Sequence, residues 1–531
     1  MTDDRTTTDD NNDGSSDFMG RTKLLGTFSG IGNNCNNMIG AGIFSSPGLV
    51  LSEIQSPGIA LILWFVGGIA ALFGSLSYTE LGSSILEGGG EIVYLERAYP
   101  RPQALFSYMF SFAMIVAIRP ASMCAIANVF AQYFLYLLKA EERCDIDYLH
   151  PKEYIVDWQF CHGGYNNNLP HYIQQMGKSN KSNSHNNKDF DPVSDENTNW
   201  KHMFPNDMNI SGRSLTAALI PILFAYSGWG NLNYTLDEFV DPKKKLFMSN
   251  SISVGIVTFL YLCANIAYTN VPLSKITGNT EPSEIIAGRF AFQVGGFNLA
   301  RALSFFICLS AFGALAANVW AGSRVIVAAA KRNYIPFSSW LQKWNGHTDT
   351  PIFALLTQAV WSSLIIIFYP HNDPFKFFIN VGGHCMWIFL FLSASGLLFL
   401  RYSEPELARP FKVFILIPII FIMFSLFIII GSFVDDSTLK KQQLEQPETI
   451  NDRPCKSAKY AKFNYHLPYI VSLAVVGVSA ICWYFLYELD LRVNFELRRT
   501  SRPHGNDEKW SVGKVIPMEV TGTNDTFESG Q

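Results

Sequence analysis

Apolar runs of about 20 residues recur from Leu24 to Tyr487, each bounded by charge or by Pro and Gly. A run of that length matches the roughly 30 Å hydrocarbon core of a bilayer. No water in that core can satisfy backbone N–H and C=O groups, so a run of this length and composition must fold as a helix. Composition agrees: of 531 residues, 48% are apolar and only 16% charged, where soluble domains carry about 25% charge. The expected class is an all-α polytopic membrane protein. A secreted disulfide scaffold, a nucleic-acid binder and a soluble enzyme are excluded. The net charge of −4 implies no particular partner. Cys35, Cys124, Cys263, Cys308, Cys385 and Cys482 lie singly in apolar runs, with no CxxC pair and no His at metal spacing, so neither a metal nor a cofactor is expected. The first 20 residues are acidic and rich in Asn, Ser and Thr, without a signal-peptide pattern; the first span is expected to direct insertion.

The spans read as 24–50, 57–82, 103–139, 213–239, 249–271, 298–330, 351–369, 375–400, 413–434 and 467–487. The third is long enough to be two spans turning at Arg119-Pro120, and charge decides against that. With one tilted helix, short loops on the N-terminal side collect Arg97, Arg101, Lys243, Lys244, Lys245, Lys331, Arg332, Lys343, Arg401, Arg409 and Lys412, against Lys275, Arg289 and Lys376 on the other. The positive-inside rule then places both termini in the cytoplasm. The chain divides into a disordered tail (1–23), three spans (24–139), a polar extracellular insertion (140–212), five spans (213–400), two more with an extracellular loop at 435–466 (413–487), and a cytoplasmic tail (488–531). Asn180 and Asn209 head N-x-S sequons in the first insertion, usable for glycosylation if that loop is lumenal.

Two spans are interrupted in the same way. The first carries Gly40 and Gly42 and stops at Ser46-Pro47-Gly48; the fourth carries Phe224-Ala225-Tyr226-Ser227-Gly228-Trp229-Gly230. Glycine lets a helix unwind and frees backbone groups, which are tolerable at membrane depth only where ligand, water or protein satisfies them. A half-helix N-terminus suits an anion and C-terminal carbonyls a cation, as the two ends of an α-amino acid zwitterion require. Matched breaks in two halves point to a secondary-transporter site; close helix packing is the alternative.

These residues carry a resemblance. Ile39-Gly40-Ala41-Gly42-Ile43-Phe44 with Ser46-Pro47-Gly48 resembles the first helix of the amino acid–polyamine–organocation superfamily. Glu80-Leu81-Gly82 followed by Gly89-Gly90-Glu91 and Tyr94-Leu95 is similar to its second-to-third helix loop. Phe224-Ala225-Tyr226 through Trp229, then Asn233-Tyr234, Glu238 and Pro242, resembles the sixth helix of L-type amino acid transporters, with the fungal methionine-permease branch nearest in flavour. The resemblance covers 24–139 and 213–434. It implies a LeuT-like inverted repeat of five plus five helices with two more at the end. It further implies that backbone at Ile39, Gly40, Ala41, Gly42 and Ile43 binds the substrate carboxylate. Backbone at Phe224, Ala225, Tyr226 and Ser227 would take the ammonium, with Phe224 as an aromatic gate.

Ser122 and Trp387 fall on pocket-lining positions of the family; a back-bonded helix serine and a core aromatic are their other readings. His384, one turn from Trp387, is either a proton relay or a hydrogen bond to a neighbouring helix. For Arg119 a structural ion pair and a lining role both stand. Glu80, Asp237 and Glu238, at span ends, read as gate or packing contacts.

Two features depart from the family. Residues 140–212 hold no apolar run near 18 residues where the family's helices four and five belong, so the first repeat is incomplete, about 10 transmembrane helices remain, and a coupling lysine on helix five is lost. Asn33, Asn34, Asn36 and Asn37 fill a half-helix that is apolar in relatives; buried amides there must pair or line water. Cys144 falls where animal L-type carriers link to a glycoprotein heavy chain; Cys161 is nearer, and a local disulfide or none is expected in place of that partner. The expected function is transport of neutral, methionine-like amino acids across the plasma membrane, with a coupling proton as a further partner. The alternatives are a transport-deficient amino-acid-binding sensor or a reading frame truncated by a splice or gene-model fault.

Overall fold

The computed structural model describes residues 26–139, 203–205, 210–239, 241–271, 285–346, 348, 350–369, 374–434 and 466–487. The described elements in chain order are α1 (Thr27–Met38), α2 (Gly42–Ile54), α3 (Pro57–Ser84), α4 (Glu91–Ala98), α5 (Leu105–Ala113), a π-turn (Met114–Ile118) and α6 (Arg119–Lys139). After the insertion come α7 (Gly212–Ala225), a 3-10 segment (Asn231–Glu238), α8 (Pro242–Tyr268), α9 (Ile286–Lys331), α10 (Ser338–Leu341), α11 (Ile352–Phe368), α12 (Pro374–Ser403), α13 (Leu416–Gly431) and α14 (Leu467–Tyr487). Among the described residues no strand forms beyond one isolated bridge, Asn345 to Thr350.

Among the described residues six helices are long and apolar enough to cross a membrane: Pro57–Ser84, Leu105–Leu138, Pro242–Tyr268, Ile286–Lys331, Pro374–Ser403 and Leu467–Leu486. Shorter apolar helices are Gly212–Ala225, Ile352–Phe368 and Leu416–Gly431. With the α1–α2 pair they fall on the ten expected spans, and the fold is a polytopic helical bundle.

The third span is one continuous helix, and its proline shows how. Pro120 has no N–H to donate and its ring crowds the carbonyl four residues back, which is Val116. The helix loosens into the π-turn there, and Trp361 Nε1 on α11 donates to the freed Val116 carbonyl at 3.0 Å. At the start of α3, Ser56 Oγ accepts from Ile59 N at 3.4 Å, with Pro57 in the first turn, a usual helix start. In α9 the helix is kinked at Gly295 and Gly296, the latter at φ 65°.

At the centre α2 runs along α7, α1 along α8, and α6, α9 and α12 close around them. Trp64, Tyr226 and Tyr261 form the aromatic heart, with centroids 4.9 to 6.0 Å apart.

Candidate functional site

Both interruptions are present, and they meet. α1 ends at Met38, residues 39–41 leave the helical path, and α2 resumes at Gly42 with no side chain capping its first turn. α7 ends at Ala225 and regular structure returns only at Asn231. A Cβ added to Gly42 would lie 2.5 Å from Ala225 Cα, and one on Gly40 2.6 Å from Ala314 Cβ. A Cβ on Gly228, which has φ 111°, would lie 2.7 Å from Asn37 Cβ. These glycines thus permit contact between the interrupted segments and α9.

Tyr261 Oη lies 2.5 Å from the Met38 carbonyl and 2.9 Å from that of Ala225. One hydroxyl proton therefore serves both loosened helix ends. Tyr226 Oη donates to the Trp64 carbonyl at 3.1 Å, and Ser227 Oγ to the Phe224 carbonyl at 2.6 Å. Ser310 Oγ donates to Ile39 O at 3.0 Å.

Beside the paired breaks lies an open-mouthed cavity of about 120 Å³, with a lining that includes Ser122, Phe224, Ser227 and Trp387. Ser122 is half-buried and makes no back-bond to its helix among the described residues. The Phe224 ring meets Phe375 edge-on at 5.8 Å, and Trp387 packs on Phe421 and Phe424 at 5.7 and 5.6 Å, so Trp387 is both lining and core. Ile39, Gly40, Ala41, Gly42, Ile43, Ala225 and Tyr226 do not line this cavity. They form the packed seam next to it, Ala41 and Ile43 being buried.

The polar lining is where reading the residues alone fell short. Arg119 is buried mid-helix, donates to Asn318 Oδ1 at 3.0 Å and Asn231 Oδ1 at 3.2 Å, and lies 5.3 Å from the Tyr234 ring centre. Glu91 at the start of α4 also lines the cavity. Arg119 carried a signal, a cation inside an apolar span; Glu91 follows three glycines and looked like loop. Among the α1 asparagines, Asn34 Nδ2 reaches Asn250 Oδ1 at 2.9 Å, and Asn37 binds Asn33 O at 2.9 Å while lining the cavity.

The other candidates are structural contacts. His384 Nδ1 lies 2.6 Å from Ser472 Oγ on α14, and its Nε2 lies 3.4 Å from Ile429 O on α13, so it ties helices together away from the cavity. Glu80 is enclosed by Arg401, Arg409 and the Val413 N–H. Among the described residues no cluster of His, Cys, Asp and Glu could hold a metal. Asn180, Asn209, Cys144 and Cys161 lie outside the described residues, as does nearly all of the interval that bears on helices four and five.

A helical membrane bundle with two broken helices meeting beside a central cavity defines a carrier architecture. The amino acid permease family model matches residues 25–161 and 171–446, and the chain belongs to that family. It is 29% identical over 431 residues to the human cystine/glutamate transporter, covering 75% of this chain and 78% of the relative. It is 29% identical over 428 residues to the mouse large neutral amino acids transporter small subunit 2, covering 77% and 76%. To the mouse Asc-type amino acid transporter 1 it is 28% identical over 432 residues, covering 78% and 77%. The family is one of transporters, not enzymes.

Proposed function

We propose that the chain is a secondary active transporter of neutral L-amino acids, methionine-like ones among them, working by alternating access in the plasma membrane with both termini cytoplasmic. The observation that carries this is the contact of two interrupted helices, one with an uncapped N-terminal turn, beside a cavity walled by Ser122, Phe224 and Trp387. The first-turn N–H groups at Ala41, Gly42 and Ile43 take the carboxylate, together with the loosened backbone at Ile39 and Gly40. The ammonium replaces the hydroxyls that Tyr261 and Ser227 now give to the Ala225 and Phe224 carbonyls, on the stretch that runs through Tyr226. Access requires the seam at Gly42 and Ala225 to part. Phe224 closes over the side chain, and a coupling proton accompanies the amino acid. The names of the large neutral and Asc-type relatives support amino acids as cargo. The fungal methionine-permease branch and a first repeat lacking two helices belong to the same reading.

One observation favours a second reading, a binding protein that does not transport. The sequence between Lys139 and Gly212 has no apolar run able to supply helices four and five. Purified protein in proteoliposomes, tested with radiolabelled L-methionine, L-leucine and L-glutamate, separates the two. Saturable uptake supports the transporter, and binding without uptake supports the sensor. Neither binding nor uptake for any of the three overturns both.

A further inference from the structure

Two buried charged groups share the cavity without meeting. Glu91 is 2% exposed; its Oε1 accepts from Tyr78 Oη at 3.1 Å, and among the described residues its Oε2 has no partner within hydrogen-bond geometry. Among the described residues Arg119 has only the neutral amides of Asn231 and Asn318 as hydrogen-bond acceptors, and its Nε is unpartnered. Both residues line the cavity. Among the described residues no ion pair joins them. Tyr234 stands between, with its ring beneath the Arg119 guanidinium and its hydroxyl toward Glu91. Leaving a buried carboxylate oxygen and a buried guanidinium N–H both unmatched is costly, and a full structural pair would have closed the gap.

We infer that Glu91 is a proton-binding site linked to the amino acid: the empty cavity holds the Glu91 carboxylate as counter-charge to the Arg119 guanidinium, and in the loaded cavity the ligand carboxylate takes over that role while Glu91 is protonated and the ligand ammonium rests on the Ala225 and Phe224 carbonyls. One proton adds to Glu91 Oε2 and a zwitterion of no net charge enters, so loading a neutral amino acid raises the cavity's net charge by one, the charge of the ligand ammonium. Binding linkage is reciprocal, so the ligand carboxylate favours protonation and protonation favours the ligand.

The groups facing Glu91 allow this. From α3 it meets Tyr78, from the 3-10 segment Tyr234, from α6 Arg119, and on its own helix Tyr94. α5 offers Tyr108, which faces Tyr334; α12 offers Arg401, engaged by Glu80; α9 offers Arg324, stacked on Trp320. Arg119 is the one cation among these not already matched by a carboxylate or stacked on a tryptophan. Burial raises the Glu91 carboxyl from its ordinary value, which moves its titration toward neutral pH.

This rests on the amino-acid reading above, and its test separates the two. Protein in nanodiscs is titrated with L-methionine, L-leucine and L-glutamate in weak buffer from pH 5 to 8, with a pH dye following proton uptake. The expected result is one proton taken up per ligand bound. Affinity should fall about tenfold per pH unit above the Glu91 pKa and level off below it. Glu91→Gln should bind with a pH-independent affinity and no proton uptake. Should Glu91→Gln fail to fold, Tyr78→Phe serves: it removes the one hydroxyl bonded to Oε1, destabilises the ionised form and moves the midpoint up. Ligand binding by the unaltered chain without proton uptake overturns this inference alone and leaves the amino-acid reading standing. So does a Glu91→Gln profile that keeps its pH dependence, or an unmoved Tyr78→Phe midpoint. Absence of binding at every pH overturns both.

Discussion

Under the proposed site Gly42→Val would block carboxylate binding, yet its Cβ would also lie 2.5 Å from Ala225 Cα on α7. That variant confounds packing with recognition. Gly40 offers a cleaner measurement, because the contact its Cβ would make is with Ala314 Cβ, a removable methyl. Gly40→Ala should destabilise the protein by about 1–3 kcal/mol through overpacking. Gly40→Ala with Ala314→Gly should recover most of that loss, read as thermal midpoints in a double-mutant cycle. An unrescued loss in the double variant would place the strain in the backbone instead. Ser122, Phe224, Ser227 and Trp387 reach the cavity wall, since family motifs locate single positions well. Glu91 was not legible, because its neighbours Tyr78, Tyr234 and Arg119 come from three other elements.

Between elements, the strongest polar join is at the end of α3. Glu80 is fully buried and binds Arg401 of α12 through both oxygens, while Val413 N donates to it at 2.8 Å. Arg409 lies 3.7 Å away and also donates to the Leu400 and Glu404 carbonyls, both at 2.9 Å. One carboxylate thus holds the turn from α12 to α13 against α3. Glu80→Gln leaves Arg401 an uncompensated buried charge and should destabilise by about 3–5 kcal/mol. The same change should speed proteolysis within residues 404–412, where the turn loses its anchor. Unchanged cleavage with a lowered melting midpoint would mean that the turn is held by its own carbonyl contacts. The motif Glu80-Leu81-Gly82 was visible in the chain; nothing in it indicated that its carboxylate binds Arg401 and the Val413 N–H.

At the scale of the whole molecule, charge sets the orientation that the positive-inside rule predicts. The charge bias predicts residues 140–212 outside, so single Asn→Gln variants at Asn180 and Asn209 should each lose an endoglycosidase-sensitive mass shift. Asn524, in a tail predicted cytoplasmic, should carry no glycan. A glycan on Asn524 would reverse the topology. Asn209 precedes Ser211, whose Oγ accepts from Ser214 N at 3.1 Å at the start of α7, so the sequon abuts a helix start.

What the chain alone determined is the class of structure and the places where its helices break. Hydrophobic length and glycine are local properties: a 20-residue apolar run has nowhere to lie but the bilayer, and a Gly-rich stretch loosens a helix wherever it sits. Tertiary structure decided what those breaks touch. Gly42 against Ala225, one Tyr261 hydroxyl between the Met38 and Ala225 carbonyls, and Arg119 across Tyr234 from Glu91 are contacts between segments far apart in the chain. No periodicity encodes them, because which buried polar groups end up paired depends on how whole helices pack.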